Sequence, residues 1–407
     1  FLFGLMGCFA NISVWAQDTT QQINPERSNQ VAQTQKPYVI LISADGFRAD
    51  MAVKFGATHL LEFSKKGVAA NFMRPSYPTI TFPNHYSIVT GLYPAHHGLV
   101  DNEFYDRATG NSYTMANKQQ VADAYWYGGK PLWVLAEEQG MLSASFYWVA
   151  SESAIRGIRP TYYYNYNTKI GIENRLQAVK NWLQLPEEKR PHFITFYFPE
   201  VDYAGHVFGP DAPETQQAVQ WVDNAIYQLQ NIATASGLPV NFVFVSDHGM
   251  TNIDTTRVMR LPASIDTSRF RIPGGSALVQ LYAKEPSYIQ AQYEILKKDA
   301  VNYDVYLKNE VPAIWHYREI LLVAKLPTIF NTGPGKMSPG KHGFDNREKD
   351  MYASFYAWGP NFKQGKQINE FDNVHIYPMI AHILGLAYSE QEIDGKFRVL
   401  RKMVKFK

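Results

Sequence analysis

Three carboxylates and three imidazoles stand in this chain where they can meet: Asp45 in VILISADGF, Asp202 and His206 in FYFPEVDYAGH, Asp247 and His248 in FVFVSDHGM, and His342 in GKHGF. Neutral imidazole nitrogen and carboxylate oxygen suit divalent metals, zinc above all, and a catalytic zinc keeps one coordination position open for substrate. Six such ligands divide into three per ion. Two ions about 3.5–4 Å apart can hold the attacking and the leaving oxygen of an in-line displacement at phosphorus. The nucleophile is sought in PSYPTITFPNHYSIVTGL, where a turn containing Pro78, Thr79, Thr81 and Pro83 precedes a helix-like stretch. A hydroxyl at a helix start lies near backbone donors and the positive end of the helix dipole, which favour an alkoxide. Thr79 and Thr81 meet that condition equally, and spacing does not separate them. The remaining histidines, His85, His96 and His97 among them, read as partners of loop carbonyls or of ligand carboxylates.

Most of the candidate ligands follow directly on a short apolar run. YVILIS at 38–43 is a continuous apolar strand of the kind buried on both faces. Similar runs are SFYWV at 145–149, FITFYF at 193–198, NFVFVS at 241–246 and YASFYA at 352–357. Helical periodicity fills 173–184 and 213–232 between them. This alternation predicts an α/β fold with a mostly parallel, doubly wound sheet and helices on both faces. Such sheets build their sites at the carboxyl ends of the strands. Residues 252–335 are less regular and are expected as an insert near the site, within a catalytic domain over 36–407.

A chain of 407 residues with 45% apolar content can bury a large core, and no repeat or low-complexity tract interrupts it. The formal charge of +2, with Lys and Arg scattered, lacks the basic stripe of a duplex nucleic-acid binder. FLFGLMGCFANISVWAQ reads as a secretory signal over 1–16, cleaved after Ala16. A lipoprotein cleavage box at Cys8 is the alternative, and lipidation there would be the route to a membrane. Cys8 is the only cysteine, so the domain that follows has no disulfide framework. Residues 17–35, rich in Gln, Asn and Thr, read as a solvated linker. The expected setting is periplasmic or secreted.

T-F-P-N-H-Y at 81–86, G-L-Y-P-x-x-H-G at 91–98, D-x-x-x-H at 202–206, S-D-H-G-M at 246–250 and H-G at 342–343 are jointly specific. From about Lys36 to about Leu386 the chain resembles the nucleotide pyrophosphatase/phosphodiesterase family of the alkaline phosphatase superfamily, in a compact bacterial form carrying only the catalytic domain. The resemblance implies an alkaline-phosphatase-like fold with two Zn2+ per chain. It also resolves the threonines, making Thr81 the nucleophile. Asp45, Asp247 and His248 would join Thr81 on one ion, and Asp202, His206 and His342 would hold the other. Asn102 would bind a nonbridging phosphate oxygen. Phe82 and Tyr166 would sandwich the nucleobase, a stacking contact that contributes about 1–3 kcal/mol. The implied reaction is hydrolysis of nucleotide phosphodiester and pyrophosphate bonds, for example ATP to AMP and pyrophosphate, through a phospho-threonine. The partners are then small-molecule nucleotides, and no protein partner is implied.

Two related chemistries are the alternatives. A choline-phosphodiester or lysophospholipid hydrolase would use the tyrosine-rich wall to cage a quaternary ammonium. A phosphomonoesterase or phosphonate hydrolase would need a cation for the third charged oxygen of its substrate. The motif segments supply none, and Arg74 and Arg156 are the arginines that would change that reading.

Overall fold

The computed structural model describes residues 19–312, 319–333 and 335–405. The signal sequence expected at 1–16, the Cys8 alternative and the first residues of the expected linker lie outside the described residues.

The large sheet contains, in chain order, β1 (Gln22–Ile23), β2 (Tyr38–Ala44), β3 (Val68–Ala70), β4 (Ser143–Phe146), β5 (Tyr162–Tyr163), β6 (Phe193–Phe198), β7 (Val240–Val245), β8 (Phe355–Trp358) and β9 (Lys366–Ile368). Their spatial order is β1-β5-β4-β6-β2-β7-β8-β3-β9. All seven residues of β2 are buried, so both of its faces must be covered. The two-residue period of a strand sorts them: Val39 and Leu41 enter one apolar core, and Tyr38, Ile40 and Ile42 enter the other.

The first core is closed by α1 (Thr81–Thr90), α2 (Leu132–Glu138) and α6 (Ile376–Leu384), and the second by α3 (Ile172–Gln184) and α5 (Pro213–Ser236). Between α3 and α5 lies the short α4 (Glu200–Phe208). Truncating a fully buried residue such as Ile40 to Ala would cost about 2–5 kcal/mol. Helix ends follow local chemistry: α5 opens with Pro213 and stops at the left-handed Gly237.

Strands β5, β4, β6, β2 and β7 run parallel. The run at 352–357, grouped with them on composition, instead forms β8 antiparallel to β7. The reason is connectivity. After His342 the chain is already at the carboxyl edge of the sheet and enters β8 without a crossover helix, so it must run the opposite way.

Residues 252–335 carry an ordered unit of their own: a four-stranded antiparallel sheet in the order Phe270–Arg271, Leu278–Ala283, Ile320–Ala324, Tyr303–Leu307, and the helix Ile289–Asp299. Val279, Leu281, Leu322, Ile329 and Phe330 fill its core. Leu278 and Leu321 pack instead on Tyr77 and Ile80, which ties the insert to the turn before α1.

The reading of 17–35 as a solvated linker needs correction over its described part. Gln22 and Ile23 pair with Tyr163 and Tyr162. Asn29 is 7% exposed, and its side chain donates to the Glu187 and Arg190 carbonyls and accepts from Leu142 N. Trp182 Nε1 donates to Gln21 Oε1 at 2.9 Å. Polar composition misleads here because the amides satisfy loop backbone groups that would otherwise be buried unpaired.

Candidate active site

Three neighbouring parallel strands deliver five of the six candidate ligands to one edge. β2 ends at Ala44 and passes to Asp45, and β7 ends at Val245, two residues before Asp247 and three before His248. β6 ends at Phe198, after which α4 places Asp202 and His206 one turn apart. His342 arrives on the return from the insert, next to the short strand Gly340–Lys341.

The side chains converge. His248 Nε2 lies 2.9 Å from Asp247 Oδ2 and 3.5 Å from Asp45 Oδ1. His206 Nε2 lies 3.4 Å from Asp202 Oδ1, and His342 Nε2 lies 3.2 Å from His206 Nε2 and 3.8 Å from Asp202 Oδ1. The His248 and His342 rings stack at 3.7 Å, and ligand atoms of Asp202, His248 and His342 all fall within 4.8 Å of one another. His248 therefore borders both trios.

Two observations test whether metal ions fit. Each of the three histidines is positioned to donate its Nδ1–H to a carbonyl: His206 to Gly340 at 2.9 Å, His248 to Gly249 at 2.9 Å and His342 to Thr79 at 2.9 Å. That leaves the bare Nε2 lone pairs facing inward, the arrangement of metal-ligating imidazoles. In addition, Asp45 Oδ1, Asp202 Oδ1 and Asp247 Oδ2 are buried with no donor to satisfy them. The close Nε2 to oxygen contacts thus set acceptor against acceptor, which only cations or extra protons can hold together. The residues fit divalent metal binding.

The electrostatics agree. Burial, with Asp247 and Asp202 alongside, pushes the Asp45 carboxyl well above the usual carboxylate range, and burial also raises Asp202. Burial would raise Asp247 too, but the facing His248 and His85 hold it well below that range. Burial would depress His248, yet the Asp247 charge overrides it and raises it. Burial, together with His248 and His206, pushes His342 well down. Three crowded acids, two with raised proton affinity, mark a cluster short of positive charge.

Geometry also separates the two threonines. Thr79 is fully buried and committed: its hydroxyl donates to Phe344 O at 2.8 Å and accepts from Gly343 N at 3.0 Å. Thr81 is the first residue of α1 after the extended Ile80, and its Oγ1 lies 3.2 Å from His248 Nε2. The turn is fixed by buried Asn84, which accepts from Ser76 N and donates to the Pro78 and Ile80 carbonyls.

His85 is a support residue. Its Nε2 bonds with Ser43 Oγ at 2.8 Å and its Nδ1 with Thr81 O at 3.0 Å, and Asp247 Oδ2 stands 3.3 Å from that Nδ1 without sharing its hydrogen bond. Gly46 is required where it stands: its φ is +68°, a Cβ would lie 3.0 Å from Asp202 Cα, and its N–H donates to Asp247 Oδ1 at 3.1 Å.

Asn102 Oδ1 accepts from Phe82 N at 3.1 Å, next to Thr81, which leaves its Nδ2 free to donate. Phe82 leans on Tyr113. Tyr166, 43% exposed, contacts the rings of Tyr147 and Tyr197, and no described ring contact joins it to Phe82. Tyr197 was not nominated from sequence, yet its hydroxyl donates to Asp45 Oδ2 at 2.6 Å. The signal was present: a hydroxylated aromatic one residue before the end of a strand that points at the site. Arg74 pairs with Asp372 and Arg156 with Glu138, so both are engaged outside the ligand cluster.

The family profile described as type I phosphodiesterase / nucleotide pyrophosphatase matches residues 39–345. Ectonucleotide pyrophosphatase/phosphodiesterase family member 1 of Mus musculus is 34% identical over 397 residues, 91% of this chain and 43% of that protein. An uncharacterized pyrophosphatase/phosphodiesterase of Schizosaccharomyces pombe is 35% identical over 376 residues, 86% of this chain and 77% of that protein. The chain thus spans less than half the length of the mammalian relative. Murine ectonucleotide pyrophosphatase/phosphodiesterase 5 superposes with a TM-score of 0.84 at 28% identity, over 90% of this chain and 100% of that one. Its inactive threonine-to-alanine variant, in complex with AMP, superposes with a TM-score of 0.85. The architecture is that of the alkaline-phosphatase-like α/β class, and the chain belongs to the type I phosphodiesterase / nucleotide pyrophosphatase family.

Proposed function

We propose that this chain hydrolyses nucleotide phosphodiester and pyrophosphate bonds, using Thr81 as nucleophile beside two zinc ions. The observation that carries the reading is the Thr81 hydroxyl, at a helix start and 3.2 Å from His248 Nε2, on the rim of two convergent sets of unsatisfied ligands. Asp45, Asp247 and His248 would hold one ion, and Asp202, His206 and His342 the other. Such ions, when bound, lower the pKa of a coordinated hydroxyl and neutralise charge on the phosphate.

The chain's own residues supply the rest. Thr81 Oγ forms a bond to phosphorus as the leaving-group oxygen departs, its proton passing to solvent. Water then replaces Thr81 and releases a nucleoside 5′-monophosphate. The Asn102 Nδ2 donates to a nonbridging oxygen, a contact whose loss costs about 2.7–4 kcal/mol in comparable hydrolases. A neutral amide suits the single charge of a diester, and the engagement of Arg74 and Arg156 elsewhere supports a diester over a monoester. Phe82 and Tyr166 would flank the base of a nucleotide, the class of ligand to which the AMP held by the murine neighbour belongs. An exported setting belongs to the same proposal, on the apolar start ending in V-W-A.

The test is product analysis of the zinc-loaded protein offered ATP, p-nitrophenyl thymidine 5′-monophosphate, p-nitrophenyl phosphate and p-nitrophenyl phosphorylcholine in parallel. AMP plus pyrophosphate from ATP, with the thymidine diester well ahead of the other chromogenic esters, is expected. A dominant monoester would overturn the Asn102 argument. A dominant choline ester would reassign the tyrosine wall.

A further inference from the structure

Asn102 can donate to substrate only if the loop that carries it is held, and the insert holds it. Its backbone N–H donates to Asp101 Oδ1 at 2.7 Å, and its carbonyl accepts from Met115 N at 2.9 Å. The other Asp101 oxygen, Oδ2, accepts from Gln280 Nε2 at 3.0 Å. The Gln280 amide cannot flip without loss, because its Oε1 accepts from Tyr282 OH at 2.8 Å. Gln280 and Tyr282 are alternate residues of the strand Leu278–Ala283, so they share one face of the insert sheet, and they are 4% and 2% exposed. A buried amide in an otherwise apolar strand is a costly choice unless every group is paired and the pairing sets a geometry. Here each bond fixes the next, from Tyr282 to Gln280 to Asp101 to the Asn102 backbone.

We propose that Gln280 is a positioning residue for the phosphate-binding amide: through Asp101 it sets the loop that presents Asn102 beside Thr81. The insert sheet is then part of the site's geometry although it contributes no group that touches substrate. This inference rests on the reading of Asn102 as a phosphate-oxygen donor.

A double-mutant cycle on hydrolysis of p-nitrophenyl thymidine 5′-monophosphate tests it, with kcat and KM measured separately. Gln280→Leu should lower kcat/KM about tenfold, mainly in kcat, because the contact it supports matters most in the transition state. Asn102→Ala should lower it on the order of 10²-fold. In the Asn102→Ala background, Gln280→Leu should cost less than about twofold. Equal losses in both backgrounds would show a general structural role, and no loss in the native background would show no role; either overturns the proposal. Tyr282→Phe keeps the carbon frame and removes only the hydroxyl that orients the amide. It should give a smaller loss with the same dependence on Asn102, and it carries the test if Gln280→Leu does not fold. Full diester activity in Asn102→Ala alone would instead refute the reading of Asn102.

Discussion

The two ligand sets differ in how they meet water. Asp45, Asp247 and His248, on strand ends, are 1%, 0% and 0% exposed. The side chains of Asp202, His206 and His342, on a helix and a return loop, keep 19%, 27% and 11%. The enclosed set lies beside Thr81 and is braced by Gly46, His85 and Tyr197. The open set keeps contact with solvent. Under the proposed mechanism, rigidity lies where an oxygen must be aimed and access where one must exchange.

The sharpest way to break this contrast is to remove what both sets serve. Thr81→Ala should lower turnover on the order of 10³-fold or more while metal content, measured by atomic absorption, stays at the wild-type level. If turnover persists, the nucleophile has been misassigned. Next, Asp247→Ala and His206→Ala should both impair turnover but differ in melting temperature. The enclosed substitution should lose several degrees and the open one at most about 2 °C. Equal losses would erase the distinction.

Chelation reads the same contrast in time. Dialysis against EDTA should release metal in two phases, the faster from the open set, and lower the melting temperature, as loss of a native-state ligand must. A single phase would argue for one shared reservoir. A smaller effect concerns Lys341, half-buried beside His342, whose side chain has no hydrogen bond or ion pair among the described residues and whose charge is felt at Asp202. Lys341→Met should reduce hydrolysis of ATP several-fold more than that of the thymidine ester, because the group that leaves ATP is the polyanion pyrophosphate and the group that leaves the thymidine ester is singly charged p-nitrophenolate. Equal reduction would deny it a role toward the leaving group.

The smallest expected effect is one of pH. Burial pushes the Asp101 carboxyl up to about 7, despite donation from Gln280 and from the backbone of Asn102 and Glu103. The folded state therefore binds this proton more tightly than the unfolded chain does, and the group's contribution to stability falls as pH rises from about 4 to about 7. Asp101→Asn removes that dependence. Its melting temperature relative to wild type should be more favourable at pH 8 than at pH 5, and the reverse order would contradict the assignment.

What could be read from the chain and what could not divide along locality. Asp45, Asp247 and His248 were legible because each follows a buried apolar strand within one to three residues, so local pattern fixes where the side chain stands. The choice between Thr79 and Thr81 was not, because it depends on Phe344 and Gly343, more than 260 residues away along the chain. The direction of β8 escaped for a similar reason: an apolar run states that it is a strand, not from which edge the chain enters it. Tyr197, Asp101 and Gln280 matter through single long-range hydrogen bonds that leave no periodic trace.

The two-residue strand β1 carries a practical consequence. It seals the free edge of β5 at Tyr162 and Tyr163, only a short step before Tyr166. A chain shortened to begin at Lys36 would bare that row of unpaired backbone groups, a template for pairing between molecules, and would unmoor the segment leading to Tyr166, the tyrosine proposed to stack on the base. Such a protein should associate with itself and bind nucleotide weakly while its metal cluster stays whole, so that a trimming error would pass for a defect in specificity.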